Sequence, residues 1–532
     1  MGIFISVSKT IECVVIALFF AVMLCAAAYR QAGVLQSCGY GGGKYFGWLK
    51  KKGNLAYERF ALLALLCALS SAVIALCFSF AGEWAAVISL APFALFFVIF
   101  LVADKKIALR SEVTLTPRFK RLYAVYFVVA ALLSYIFVTL LNFADYVWGN
   151  SVFTRLRYCA LALLPLLNLF ILLFSNCIAK IYEVPHNNKF IKKSKAKLAA
   201  SDIKVIAITG SYGKTSTKFI LNSILSKKYR VLTTPRSHNT PIGVALAVNN
   251  ANLGDYDIFI AEMGARHVGD IAELCEICPP DISIITGICG QHMESFLTFE
   301  NIVKAKGEIL AATKGTAVIA ADCFDLFEEY PCDKRKCGCV SDIACMAEGT
   351  DFTLTLGGES VAAHTKLLGE HSAYNIGVAA EAAYLAGMTA GEIADAISGI
   401  DFIEHRLQLI SSGGVNILDD GYNSNVKGAR AALGVLQLFG GAKIVVTPGL
   451  VELGVLEEKE NYELGKALVG LDFVILVGDT LVTPVKKGYL ENGGDECKLR
   501  VKPTLAAAQE EIKTIISAGD TVLFLNDLPD VY

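Results

Sequence analysis

Residues 208–218 read ITGSYGKTSTK, directly after the β-branched run Val205–Thr209 and at the start of a helical segment near 214–227. Strand, glycine turn and helix in that order build a phosphate cradle. Gly210 and Gly213 let backbone N–H groups converge on phosphate oxygens, and Lys214 adds a point charge. Thr215 and Ser216 bring hydroxyls to the helix N-terminus, Thr215 as a ligand for Mg²⁺. The usual phosphate loop has glycine where Ile208 stands, so the pattern is compressed, and its strand–turn–helix context identifies it as a nucleotide site.

Outward from this loop the chain alternates short buried strands with helices. Val205–Thr209, Ile258–Glu262, Ile282–Thr286 and Ala317–Ala320 read as parallel strands, with helices near 214–227, 299–313 and 374–386. A second, smaller set follows with Ile417–Asp419, Lys443–Thr447, Phe473–Val477 and Thr521–Leu525. The pattern predicts a phosphate-loop ATPase domain with a parallel sheet over 203–403 and a Rossmann-like α/β domain over 404–532. Glu262 ends its strand on the side where α/β sheets collect ligands, which makes it a Mg²⁺ ligand candidate beside the alternative of an exposed strand-end carboxylate. His292 alone would be an ordinary loop histidine; its place after the Ile282–Thr286 strand makes it a candidate too.

Several further motifs follow in order: HNTPIGV (238–244), AEMGA (261–265), GQHMESF (290–296), AKGEI (305–309), GEHSAYNIGVAA (369–380), EHRL (404–407) and DDGYNSN (419–425). With the phosphate loop, this series resembles the Mur ligase family over about residues 203–480, most of all its D-alanyl-D-alanine-adding branch. The resemblance implies that Thr215, Glu262 and His292 surround the metals and that Lys306 carries a CO₂-derived carbamate, an anionic group able to ligate Mg²⁺. It implies that Asn375 holds adenine, Arg406 reaches the phosphates and Asp420 contacts the ribose, so that ATP sits between two domains. Lys214, His292 and Lys306 are then the catalytic candidates, and Asn239, Asn423 and Asn425 substrate-side or loop-fixing groups. The implied reaction turns a carboxylate into an acyl phosphate, which an amine attacks to give an amide, ADP and phosphate.

The N-terminal part is of another kind. Of the 532 residues, 54% are hydrophobic and 18% charged, against roughly 45–50% and 25% for a soluble protein. Residues 1–200 hold 21 Lys/Arg and 7 Asp/Glu, residues 201–532 hold 27 and 43, so a basic half precedes an acidic one. This balance gives no support to nucleic-acid binding. Apolar stretches near 11–29, 60–82, 84–103, 122–143 and 158–179 are each long enough to cross a bilayer. Basic residues alternate between the connecting segments, with six in 30–59, none at 83, six in 104–121, two in 145–157 and six in 180–197. The positive-inside rule then predicts a five-helix membrane domain over 1–182 in the cytoplasmic membrane, followed by a basic linker over 183–202 and a cytoplasmic catalytic half. A cleaved signal peptide at Val14–Ala28 is the alternative for the first stretch. Charge-free spans argue against a transporter, and the basic tail Lys189–Lys197 offers charge to anionic lipid headgroups or serves as a solvated linker.

Members of the resembled family that act on soluble precursors carry an N-terminal domain gripping a UDP-sugar. Here apolar stretches occupy that place, which points to a lipid-linked or otherwise membrane-bound acceptor. Sixteen dispersed cysteines indicate a reducing compartment. Cys275 and Cys278, with Cys332, Cys337, Cys339 and Cys345 in an irregular region, raise a four-thiolate zinc site as an alternative to free thiols. The leading expectation is a membrane-anchored ligase that uses ATP and Mg²⁺ to add an amino acid or dipeptide to a cell-envelope precursor. A folylpolyglutamate-type or amino-acid-polymer ligase, and an ATP-sensing membrane scaffold without ligase activity, remain as alternatives.

Overall fold

The computed structural model describes residues 7–50, 113–148, 168–235, 238–290, 293–421, 426–451, 453–478 and 481–526, with a few isolated positions between 69 and 102. The chain divides between His186 and Asn187 into two compact units.

In the first unit, the helix Val7–Ser37 packs along the helix Pro117–Trp148, with the short helix Gly42–Lys50 beside them. Phe20, Leu24, Leu35, Leu122, Tyr126 and Val129 share its core. The outward faces are equally apolar: Val15, Leu18, Phe19 and Val22 on one helix and Val128, Leu132, Ile136 and Leu140 on the other are exposed. A helix apolar all round suits a lipid surrounding rather than water. Two stretches among the described residues, Cys13–Ser37 and Pro117–Trp148, are long and apolar enough to cross a membrane. The expected spans near 60–82 and 84–103 and the first half of that near 158–179 lie outside the described residues. A third long helix, Asn168–Ala199, includes the basic stretch 187–199.

The second unit contains two parallel sheets. In the first, β1 (Lys204–Thr209), β2 (Val231–Thr233), β3 (Ile258–Glu262), β4 (Ile282–Ile285), β5 (Ala317–Ala320) and β6 (Lys334–Cys337) run in the order β2-β3-β1-β4-β5-β6. Continuous apolar runs such as IFIAE, buried at every position, fit strands covered on both faces. Register sets Ile208 opposite Glu262 and Thr209 opposite Ile285. The carboxyl ends of β1, β3 and β4 are therefore level, and the loops that follow them meet above the sheet, where ligands collect in such folds.

The irregular region expected around the cysteines is in fact ordered. Lys334–Cys337 adds the edge strand β6, and β7 (Val340–Met346), β8 (Gly349–Leu356) and β9 (Glu359–Thr365) form an antiparallel sheet. The alternating burial of β8 holds that sheet against the central domain through Phe352, Leu354 and Leu356. The helix Glu370–Leu385 follows.

The second sheet comprises β10 (Gln408–Ser412), β11 (Val415–Asp420), β12 (Lys443–Thr447), β13 (Phe473–Val477), β14 (Leu499–Lys502) and β15 (Thr521–Leu525), ordered β10-β11-β15-β12-β13-β14. It is parallel except for the β10–β11 hairpin. The short edge strands β2, β6, β10 and β14 are among the elements that periodicity does not reveal.

Candidate functional site

The phosphate loop closes between β1 and the helix Lys214–Leu225. Gly213 caps that helix with φ of 77°, a conformation costly for other residues. A Cβ there would lie 2.6 Å from Asn375 Oδ1, so only glycine lets the helix Glu370–Leu385 approach the loop. Gly210 has φ of 150° and abuts Thr286. Lys214 folds back over this loop and donates from Nζ to Gly210 O at 2.7 Å and Ser211 O at 3.2 Å. Burial pushes its pKa down.

Glu262 is 1% exposed at the end of β3. Thr215 Oγ1 stands 3.2 Å from both of its carboxylate oxygens, Asn239 Nδ2 donates to it at 3.3 Å, and Lys218 Nζ pairs with it at 3.0 Å. Lys218, itself buried, also donates to Thr234 O. The sequence reading passed over Lys218. It lies inside the quoted loop motif, and its i+3 spacing from Thr215 puts both on one helical face. Removing one partner of a buried pair leaves the other charge uncompensated. Lys218→Met is therefore expected to cost about 3–5 kcal/mol of unfolding free energy by chemical denaturation, far more than an exposed pair such as Lys228–Glu392.

Lys306 projects from the helix Phe299–Ala312, 3% exposed, with Nζ 5.9 Å from the Phe296 ring centre. Burial first, and the nearby Lys214 charge second, push its pKa well below the ordinary lysine value. A neutral amine is the form that takes up CO₂.

Arg406 lies between His405 and Leu407, which have φ of 57° and 51°. Two non-glycine residues in the left-handed region mark stored strain at a functional position. His405 Nδ1 is 2.7 Å from Asp419 Oδ2, which ties this turn to β11.

Two cavities flank the loop, and Tyr212, Gly213, Ser216 and Arg406 line both. The smaller, about 410 Å³, brings together Lys214, Thr215, Asn239, Glu262 and Lys306. The larger, about 750 Å³, is bordered by Asn375 and Asp420, with His371 in its wall. Burial pushes the His371 pKa down to about 4, so this histidine is neutral at pH 7. His292, Asn423 and Asn425 lie outside the described residues. Tyr212 hydrogen-bonds to Asp322, and Lys427 reaches both, 3.1 Å from Tyr212 Oη and 2.9 Å from Asp322 Oδ2. This contact joins the loop to the C-terminal domain, and no motif spacing announced it.

Thr215 and Glu262 offer the hard oxygens Mg²⁺ prefers, whereas Lys306 fits such a site only as a carbamate. Cys275 and Cys278 belong to one core cluster and Cys337 and Cys339 to another, so these thiols do not converge. Among the described residues no group of three or more His, Cys, Asp or Glu side chains is placed to hold a metal ion.

Residues 208–383 match the model of the Mur ligase middle domain, and residues 405–526 that of the Mur ligase glutamate ligase domain. The UDP-N-acetylmuramoyl-tripeptide–D-alanyl-D-alanine ligase of Escherichia coli (strain K12) is 29% identical over 334 residues, 59% of this chain and 74% of that protein. The enzyme of the same name from Bacillus subtilis (strain 168) is 31% identical over 287 residues, 52% of this chain and 62% of that one. Among solved structures, the MurF ligase of Thermotoga maritima in complex with ADP superposes with a TM-score of 0.59 at 26% identity, covering 65% of this chain and 81% of that chain.

Proposed function

The chain belongs to the Mur ligase family and is an ATP-dependent ligase; from that premise we propose that it joins the amine of D-alanyl-D-alanine to the tripeptide carboxylate of a peptidoglycan precursor. The convergence of Lys214, Thr215, Glu262, Lys306 and Arg406 on one cavity beside the phosphate loop carries the acyl-phosphate chemistry, and similarity to enzymes named D-alanyl-D-alanine ligases supports the choice of substrates.

In this reading ATP lies along the larger cavity, its adenine toward Asn375 and its ribose toward Asp420, with Gly210, Gly213 and Ser216 at the phosphates. Lys214 exchanges the carbonyls of its own loop for phosphate oxygens, and Arg406 adds a second positive charge. Thr215, Glu262, Lys306 as its carbamate and His292 would hold Mg²⁺, which would neutralise charge on the transferred phosphoryl group. The precursor carboxylate attacks the terminal phosphorus and ADP leaves. The dipeptide amine then attacks the acyl phosphate, forming the amide and releasing phosphate. Closure of residues 404–532 over 203–403 excludes the water that would hydrolyse that intermediate.

We assign residues 1–182 to membrane anchoring, with 183–202 as a basic connection and the catalytic half at the inner face of the cytoplasmic membrane. The apolar outward faces of Val7–Ser37 and Pro117–Trp148 support this placement, and a membrane-bound acceptor suits it.

The test supplies purified protein with ATP, Mg²⁺ and D-alanyl-D-alanine, and with either a UDP-linked or a lipid-linked tripeptide precursor. A product heavier by the dipeptide residue supports the reading, and the better acceptor identifies the carrier. A parallel reaction supplies glutamate with a folate-type acceptor, and amide formation in that reaction alone would overturn the reading.

A further inference from the structure

The wall of the larger cavity holds two thiols for which the ligase reaction has no use. Cys337 ends β6 and Cys339 precedes β7, with only Gly338 between them. In an extended chain residues two apart share a face, and here the two Sγ atoms stand 3.7 Å apart. They are 9% and 7% exposed, and both border the cavity.

Both sulfurs rest against Gly377, 3.4 Å from where a Cβ would stand, and Cys339 Sγ donates to Gly377 O at 3.3 Å. Gly377 lies two residues beyond Asn375, on the helix that meets the phosphate loop at Gly213. The sulfurs thus bear on the helix that carries Asn375, the side chain assigned to adenine.

We propose that Cys337 and Cys339 are an oxidisable dithiol, a modification site whose disulfide weakens nucleotide binding in the adjoining cavity. This rests on the reading of that cavity as the ATP cleft. The thiolate is the attacking form in such an exchange. Cys337 thiolate attacks one sulfur of a low-molecular-weight disulfide such as oxidised glutathione, expelling one glutathione thiolate. Cys339 then loses its proton and attacks Cys337 Sγ in the mixed disulfide, expelling the second. Two protein thiols are oxidised and one small disulfide is reduced to two thiols. Bond formation brings the sulfurs from 3.7 Å to about 2.05 Å, which draws Cys339 away from Gly377 O.

The experiment titrates the detergent-solubilised 532-residue protein with oxidised glutathione. It follows peptide masses and Mg²⁺–ATP affinity together. The expected result is the loss of two hydrogens from the peptide containing Cys337 and Cys339, with ATP affinity falling about tenfold and returning with dithiothreitol. Cys337→Ala should abolish the redox response, and Cys339→Ala should stop at a glutathione adduct on Cys337 with no internal disulfide, while both reduced variants still bind ATP. Should either variant fail to fold, the wild-type protein decides by itself, since bound ATP must slow formation of the internal disulfide. A stable glutathione adduct without an internal bond in the wild-type protein, or an internal bond with unchanged ATP affinity, would overturn the proposal. Failure of the reduced wild-type protein to bind ATP would instead overturn the nucleotide reading, and the dithiol switch with it.

Discussion

Lys214→Ala is expected to lower ATP-dependent amide formation by about 10²–10³-fold, the loss typical when one preorganised group is removed from developing transition-state charge. Lys214 Nζ lies over the loop, bonded to Gly210 O and Ser211 O, within reach of any phosphate seated between the glycines. Burial disfavours its charged form, and an incoming phosphate restores the partner that burial removes. The substitution deletes a half-buried ammonium and leaves the core of the domain untouched, so near-UV circular dichroism should be unchanged while phosphate release collapses. If the variant formed amide at the wild-type rate, Lys214 would have no part in stabilising the transferred phosphoryl group and this assignment would fall.

The second large effect is expected at Lys306. Its alanine variant should lose about 10²-fold or more in turnover, on the scale of one charge-stabilising group, and a short carboxylate such as formate should restore part of the loss by standing in for the carbamate. The pH dependence follows from the direction of the shift. Burial and Lys214 lower the Lys306 pKa, so the neutral amine persists to lower pH than on a surface lysine. Activity in the presence of bicarbonate should therefore hold as pH falls toward neutrality and drop only once the buried amine protonates. Indifference of turnover to rigorous CO₂ removal would contradict the carbamate assignment.

The parallel strands β1, β3, β4 and β5 were legible because burial on both faces writes continuous apolar runs, and the loop because glycine geometry and a lysine must follow such a strand. The antiparallel sheet β7–β9 was not, because its half-exposed strands carry Ser, Asp, Thr and His at the open positions and read as loop. Lys218 escaped notice for another reason. A lysine on a helix is ordinarily solvated, and only the fold reveals that this one faces the buried carboxylate of Glu262. The strained turn around Arg406 left no composition signal, since it contains no glycine and Leu407 is not a residue that favours positive φ.

The most direct test of the account measures phosphate release by the purified protein with Mg²⁺–ATP while the tripeptide precursor and D-alanyl-D-alanine are supplied singly and together. The account predicts release matched mole for mole by amide product when both are present, and little release when the precursor is withheld. Steady ATP hydrolysis indifferent to both substrates, or no hydrolysis under any combination, would contradict it.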